Sequence, residues 1–138
     1  GGHIVQGHVD GTGHVLSLSP SEHWTVVRLA LPEQLARYVV EKGSITIDGV
    51  SLTVSALGQG VTGDDAQHWF EVSLIPTTLE LTNLGGAEPG TVVNLEVDIV
   101  ALEMLVLRVL SAEKSGKNSL DIAGLLKIKG SECNHIVK

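Results

Sequence analysis

Aromatic residues are scarce in this chain: Phe, Trp and Tyr make up only 3% of its 138 residues. Aliphatic side chains must therefore fill any core, and the apolar total of 43% is enough for one domain. Cysteine is almost absent. The single Cys133 excludes an internal disulfide, which fits a reducing compartment. A cytoplasmic location is expected, or a plastid if the source is a plant. Positive charge is short as well, with 9 Lys and Arg against 16 Asp and Glu and a formal charge of −7. A protein that tracks phosphate backbones needs the opposite balance, so no nucleic-acid partner is expected. Long hydrophobic runs are missing. The strongest, Ile99 to Leu110, is too short to span a bilayer and contains Glu103 and Arg108, so no membrane partner is expected. The opening Gly1-Gly2-His3 has no initiator Met and none of the basic and apolar character of a signal peptide. A fragment or a processed product is the expectation.

Glycine is plentiful, at 16 residues, and short β-prone runs lie between the glycines. That mixture favours an all-β barrel or sandwich over a helical bundle. Ile4–Val9 and Val15–Leu18 read as strands around a bend at Gly11 and Gly13. In Trp24–Leu31, the side chains of Val27, Leu29 and Leu31 share one face, as in a half-buried strand. Pro32 then starts a short helix with Leu35, Tyr38 and Val39 on its apolar side, ended by Gly43 as an αL cap. Ser44–Ile47 and Val50–Leu57 flank Asp48-Gly49, a strong hairpin signature. Residues 58–67 form a polar loop before a strand over His68–Leu74. Pro76 breaks that strand, Thr77–Leu81 makes a helical turn, and Thr91–Val97 is the last strand. About six strands within a hundred residues point to a small closed barrel over residues 1–98. Residues 99–112 are expected to form a C-terminal oligomerisation helix, apolar almost all round, with folding back onto the barrel as the alternative. Residues 113–138 read as a partly disordered tail with a short helix over Leu120–Lys129.

Three stretches carry candidate chemistry. In GGHIVQGHVDGTG, alternation places His8, Asp10 and His14 on one side and His3 on the other. A zinc site, a histidine serving as hydrogen-bond partner or proton shuttle in a ligand cleft, and a purely structural histidine all remain open. The glycines do not form a dinucleotide fingerprint, because another strand follows them instead of a helix. Ser115-Gly116-Lys117-Asn118 likewise lacks the first glycine of a phosphate loop. In EKGSITIDGVSLTV, Ser51, Thr53 and Ser55 share a strand face opposite Val50, Leu52 and Val54. Short hydroxyls suit the carbonyl and imide edge of a pyrimidinedione, while the alternative is a hairpin with a polar outer face. Lys42 and Asp48 bracket this hairpin and could pair or each meet a ligand. In LIPTTLELTNLG, amides freed near Pro76 beside Thr77 and Thr78 suit a polar heterocycle; an ordinary threonine helix cap is the alternative. Cys133, without a neighbouring base, is a poor nucleophile.

These stretches, in this order and followed by GTVVNLEVDI, resemble riboflavin synthase over residues 1 to about 99. The resemblance implies a six-stranded Greek-key closed barrel and a dismutation of two 6,7-dimethyl-8-ribityllumazine molecules. One molecule gives a four-carbon unit to the other, yielding riboflavin and a ribitylaminopyrimidinedione, with no metal or bound cofactor required. It implies that His8 assists proton transfer, with Ser51 and Asp98 as the other catalytic residues. His3, Gly7, Val9, Lys42, Asp48, Leu52, Thr53, Leu74, Ile75, Pro76, Thr77, Thr78 and Leu79 would contact or support the lumazine or riboflavin. The family's active site forms between an N-terminal barrel of one subunit and a C-terminal barrel of another, in a homo-oligomer that is a trimer. This chain resembles the C-terminal barrel alone, so the implied partner is the N-terminal barrel of the same enzyme. It departs from the family in its helix, ALEMLVLRVL, and in the tail beyond. A non-catalytic lumazine or flavin binder and a structural oligomerising barrel are the alternatives.

Overall fold

A computed structural model describes residues 2–60 and 67–114. It contains strands β1 (Gly11–Pro20), β2 (Thr25–Leu31), β3 (Ser44–Ile47), β4 (Val50–Gln59), β5 (His68–Leu74) and β6 (Val92–Val97). Helix α1 (Glu33–Ala36) joins β2 to β3. Helix α2 (Pro76–Leu81) and a 3-10 turn over Asn83–Gly86 join β5 to β6, and α3 (Ile99–Lys114) follows. The strands close into an antiparallel barrel in the order β1-β2-β5-β4-β3-β6. Strands β3, β4 and β5 form a meander and β6 returns to lie beside β3, which is a Greek key. Irregular registers in β1 between Val15 and Ser17, and in β4 between Val54 and Ala56, bend these strands around the barrel.

Alternation, interrupted at these two irregularities, fills the interior. Val15, Val27, Leu29, Ile45, Ile47, Val54, Phe70, Val72, Leu74, Val93 and Leu95 are almost wholly buried in one cluster. Leu35 and Val39 after β2, and Leu84 in the 3-10 turn, join the same cluster. On the outer wall of β2, β5 and β4, Trp69 lies flat against Gly58, its cross-strand neighbour. A Cβ on Gly58 would come within 2.6 Å of the indole. The Arg28 guanidinium stacks over the same ring at 3.7 Å and also bonds Glu71, its cross-strand partner, at 2.7 Å.

Three local expectations differ from the structure. Ile4–Val9 is not a strand. Its amides at Gln6, Gly7 and His8 point to a side chain, and Gly7 has a φ of 81°, so no ladder can run through it. Gly11 and Gly13 make no bend but lie inside one continuous β1. Gly13 is needed there because a Cβ would stand 2.4 Å from the Ala30 carbonyl oxygen. Helix α1 stops at Ala36, and the left-handed residue is Lys42, with a φ of 69°, instead of Gly43. The Asp48-Gly49 hairpin is as expected, with both residues at positive φ, 47° and 82°.

The barrel unit ends at Asp98, and a second compact unit begins at Ile99. Within α3, Val109 and Ala112 are buried, whereas Val100, Met104, Leu107 and Leu110 are exposed. The expectations for Ser115–Asn118, Leu120–Lys129 and Cys133, and for most of the loop after β4, lie outside the described residues.

Phe70 is the largest fully buried side chain. Phe70→Ala should lower unfolding free energy by about 3–5 kcal/mol through the cavity it leaves, read from the midpoint of urea unfolding of the chain.

Candidate functional site

One buried apolar cluster occupies the interior of the closed barrel, so any ligand would meet its outside, where the wall of β3, β4 and β6 carries several of the candidate residues. The β3–β4 register pairs Ser44 with Thr53 and Thr46 with Ser51. Because Ile45, Ile47 and Val54 point inward, these four hydroxyls fall on the outside, as a compact patch. Lys42 stands at its edge. Its backbone amide bonds the Val54 carbonyl at 2.8 Å, which sets the lysine beside Thr53, and its side chain is exposed.

The segment over residues 3–10 crosses this wall without forming a ladder. His3 is its first anchor: Nδ1 lies 2.7 Å from Ser51 Oγ, and Nε2 lies 3.1 Å from Thr46 Oγ1. One ring therefore engages both members of a cross-strand pair, and a neutral imidazole can donate to one hydroxyl while accepting from the other. Glu96 is the second anchor. Its carboxylate accepts the backbone N–H groups of Gln6 at 2.8 Å, Gly7 at 3.3 Å and His8 at 3.5 Å. Asp10 is the third: it accepts the Val97 amide at 2.8 Å, and its own amide bonds the Leu95 carbonyl at 2.8 Å.

A cleft of about 180 Å³ opens between this segment, the β3–β4 turn and β6. Gly7, Val9, Thr46, Asp48, Gly49, Asn94, Leu95 and Glu96 line it. Its volume falls below the ~300 Å³ at which pockets for whole small molecules begin, so this cleft alone does not enclose such a ligand. The Asp48 carboxylate holds the cleft's floor. One oxygen accepts the Asn94 amide at 2.7 Å and the other accepts the Asn83 side-chain N–H at 2.8 Å, tying the hairpin to β6 and to the 3-10 turn. Asp48 is thus engaged by its neighbours, and no ion pair joins it to Lys42 among the described residues.

The other expected residues divide by position. Gly7, His8 and Val9 are exposed along the anchored segment, and Asp98 is half-buried at the end of β6. Ile75 precedes α2, Pro76 occupies its first turn, and Thr77 is exposed while Thr78 is half-buried. Neither threonine caps the helix. The capping hydroxyl belongs to Thr82, which donates to the Thr78 carbonyl at 2.6 Å and accepts from the Leu84 amide at 3.3 Å. Leu74 lies in the core, while Leu52 and Leu79 pack against it, so these three support the wall from within. Thr46, Asn94 and Glu96 escaped the sequence reading, and so did the role of Asp10 as an anchor. The one trace of them is that Thr46 and Glu96 fill outward slots of alternating strands yet are 2% and 9% exposed, and nothing in a linear pattern shows what covers them. Among the described residues, no three His, Cys, Asp or Glu side chains converge as metal ligands.

The model of the lumazine binding domain family matches residues 6–98. The riboflavin synthase of Mycobacterium tuberculosis is 66% identical over 101 residues, 73% of this chain and 48% of that protein. The riboflavin synthase of Actinobacillus pleuropneumoniae is 46% identical over 123 residues, 88% of this chain and 54% of that one. The chain spans about half the length of the curated relatives it matches. Among solved structures, LumP complexed with riboflavin superposes with a TM-score of 0.59 at 25% identity, over 70% of this chain and 48% of that one. The resemblance read from three short motifs and the closed six-stranded barrel agree on one assignment: the chain belongs to the lumazine-binding domain family.

Proposed function

We propose that this chain is the C-terminal, ligand-holding barrel of a riboflavin synthase. It binds 6,7-dimethyl-8-ribityllumazine on the hydroxyl-bearing wall of β3 and β4. The observation that carries the reading is the contact of His3 with Ser51 at 2.7 Å beside Thr53 and Lys42, in a chain 66% identical over 101 residues to a riboflavin synthase. In that reading the hydroxyls of Ser51 and Thr53 and the Lys42 ammonium meet the carbonyl and imide edge of the heterocycle. Their donor and acceptor capacity matches an uncharged, phosphate-free ligand, as does the chain's net charge of −7. Ile75 to Thr78 close one side of the ligand.

The reaction is a dismutation. One lumazine gives up a four-carbon unit and leaves as the ribitylaminopyrimidinedione, while the other gains the unit and becomes riboflavin. Atoms and electrons balance between two identical substrates, so no outside oxidant is required. His8, exposed on the anchored segment, moves protons to and from the substrates, and Ser51 and Asp98 complete the catalytic set. The second substrate sits on the N-terminal barrel of another subunit, which matches the partial cleft presented by this wall. Assembly as a trimer through α3, whose Val100, Met104, Leu107 and Leu110 are exposed, brings such barrels together in the cytoplasm.

Titrating the chain with 6,7-dimethyl-8-ribityllumazine should give a saturable change in ligand fluorescence. Ser51→Ala and Lys42→Ala should each weaken affinity about tenfold, near 1.4 kcal/mol. No saturation, or unchanged affinity in both variants, rejects the site. Sedimentation equilibrium tests the assembly separately. The chain should sediment as an oligomer, and Met104→Glu with Leu107→Glu should shift it to the monomer by placing charge on an apolar contact.

A further inference from the structure

Glu96 is the only charged residue among the described ones that is buried, at 9% exposure. It pairs across the ladder with Thr46, and both face away from the core. A carboxylate on an outer wall ordinarily stays in water. Removing it from water without compensation is strongly unfavourable. No Lys, Arg or His pairs with it among the described residues. Its compensation is the three consecutive backbone N–H groups of Gln6, Gly7 and His8, turned toward one point because Gly7 adopts a φ of 81°. Successive amides folded in this way form a concave anion cradle, here filled by a side chain of the same protein.

The segment so held has no strand ladder of its own. Its two ends are tied by His3 to Ser51 and Thr46, and by Asp10 to Val97. Between those ends, Glu96 alone among the described residues accepts from the backbone that carries His8. We infer that Glu96 is a positioning residue of the ligand site: its carboxylate sets the path of the 6–8 backbone and so aims His8, without touching the ligand. This rests on the lumazine-binding reading above. It also accounts for Gly7 by geometry, because a side chain there would be strained in the left-handed region.

The test uses the whole chain and separates the cradle from the ligand. By NMR without ligand, the Gln6 and Gly7 amides should resonate downfield and exchange slowly. In Glu96→Ala their exchange should rise at least about tenfold while the amides of β3 and β4 stay protected. Sodium formate, which fits the emptied cradle, should restore slow exchange. In the same variant, lumazine affinity should fall about tenfold and recover with formate. Glu96→Gln preserves the shape but turns an NH2 toward N–H donors, so it should lie between the two and serves if the alanine variant does not fold. Unchanged exchange at residues 6–8 overturns the proposal. So does a loss of protection across the whole barrel that formate does not reverse, since it would mean that Glu96 supports stability alone. A wild-type chain that binds no lumazine overturns the function proposed above, while amide exchange still decides whether the cradle orders the segment.

Discussion

Strand β6 pairs back onto β1, so every strand of the barrel has a hydrogen-bonded neighbour on each side. That closure removes free edges and sorts each strand into slots that face a narrow interior and slots that face out. The space the six strands enclose is occupied by Val, Leu, Ile and one Phe in one buried cluster. Anything the barrel binds must therefore lie on its outside. The hydroxyl patch, the covering segment and the buried carboxylate are all consequences of where the outward slots fall.

Two outer walls use those slots differently. On β2, β5 and β4, Arg28 and Trp69 stack over Gly58, with Glu71 beside them, and cover the ladder with packed side chains. On β3, β4 and β6, the outward slots hold mainly short polar groups, the hydroxyls of β3 and β4 with Asn94 and Glu96 on β6, which leave room for another layer. Residues 3–10 supply that layer, and the contacts that hold it are hydrogen bonds instead of apolar packing. An arrangement of this kind is directional. It fixes the backbone of the covering segment in one place while leaving Ile4 and Val9 outward, at 65% and 58% exposure.

The alternation of Val27, Leu29 and Leu31, the Asp48-Gly49 turn and the Pro76 break were legible because each depends on residues a few positions apart. Strands β3 and β5 fall where the pattern places them. The first stretch was misread for the same reason. Ile4 to Val9 has strand composition, but its amides are claimed by Glu96, some ninety positions later, and no local rule carries that information. Ser51 was visible as a polar strand residue, whereas its partner His3 became meaningful only once β3 and β4 had paired. The motif resemblance supplied the family. It could not supply Glu96 or Thr46, whose importance lies in what covers them.

The anchoring of His3 on Thr46 and Ser51 has a further consequence for whatever precedes it in a longer polypeptide. Residues joined upstream of Gly2 would start from a fixed point beside the hydroxyl patch, not from the end of a loose tail. A flexible tether spreads its cargo over a volume set by its length, whereas a pinned one sets the cargo's starting position. In such a polypeptide the segment that shapes this barrel's surface would also be its point of attachment, so the local concentration of a neighbouring module would depend on the same few hydrogen bonds.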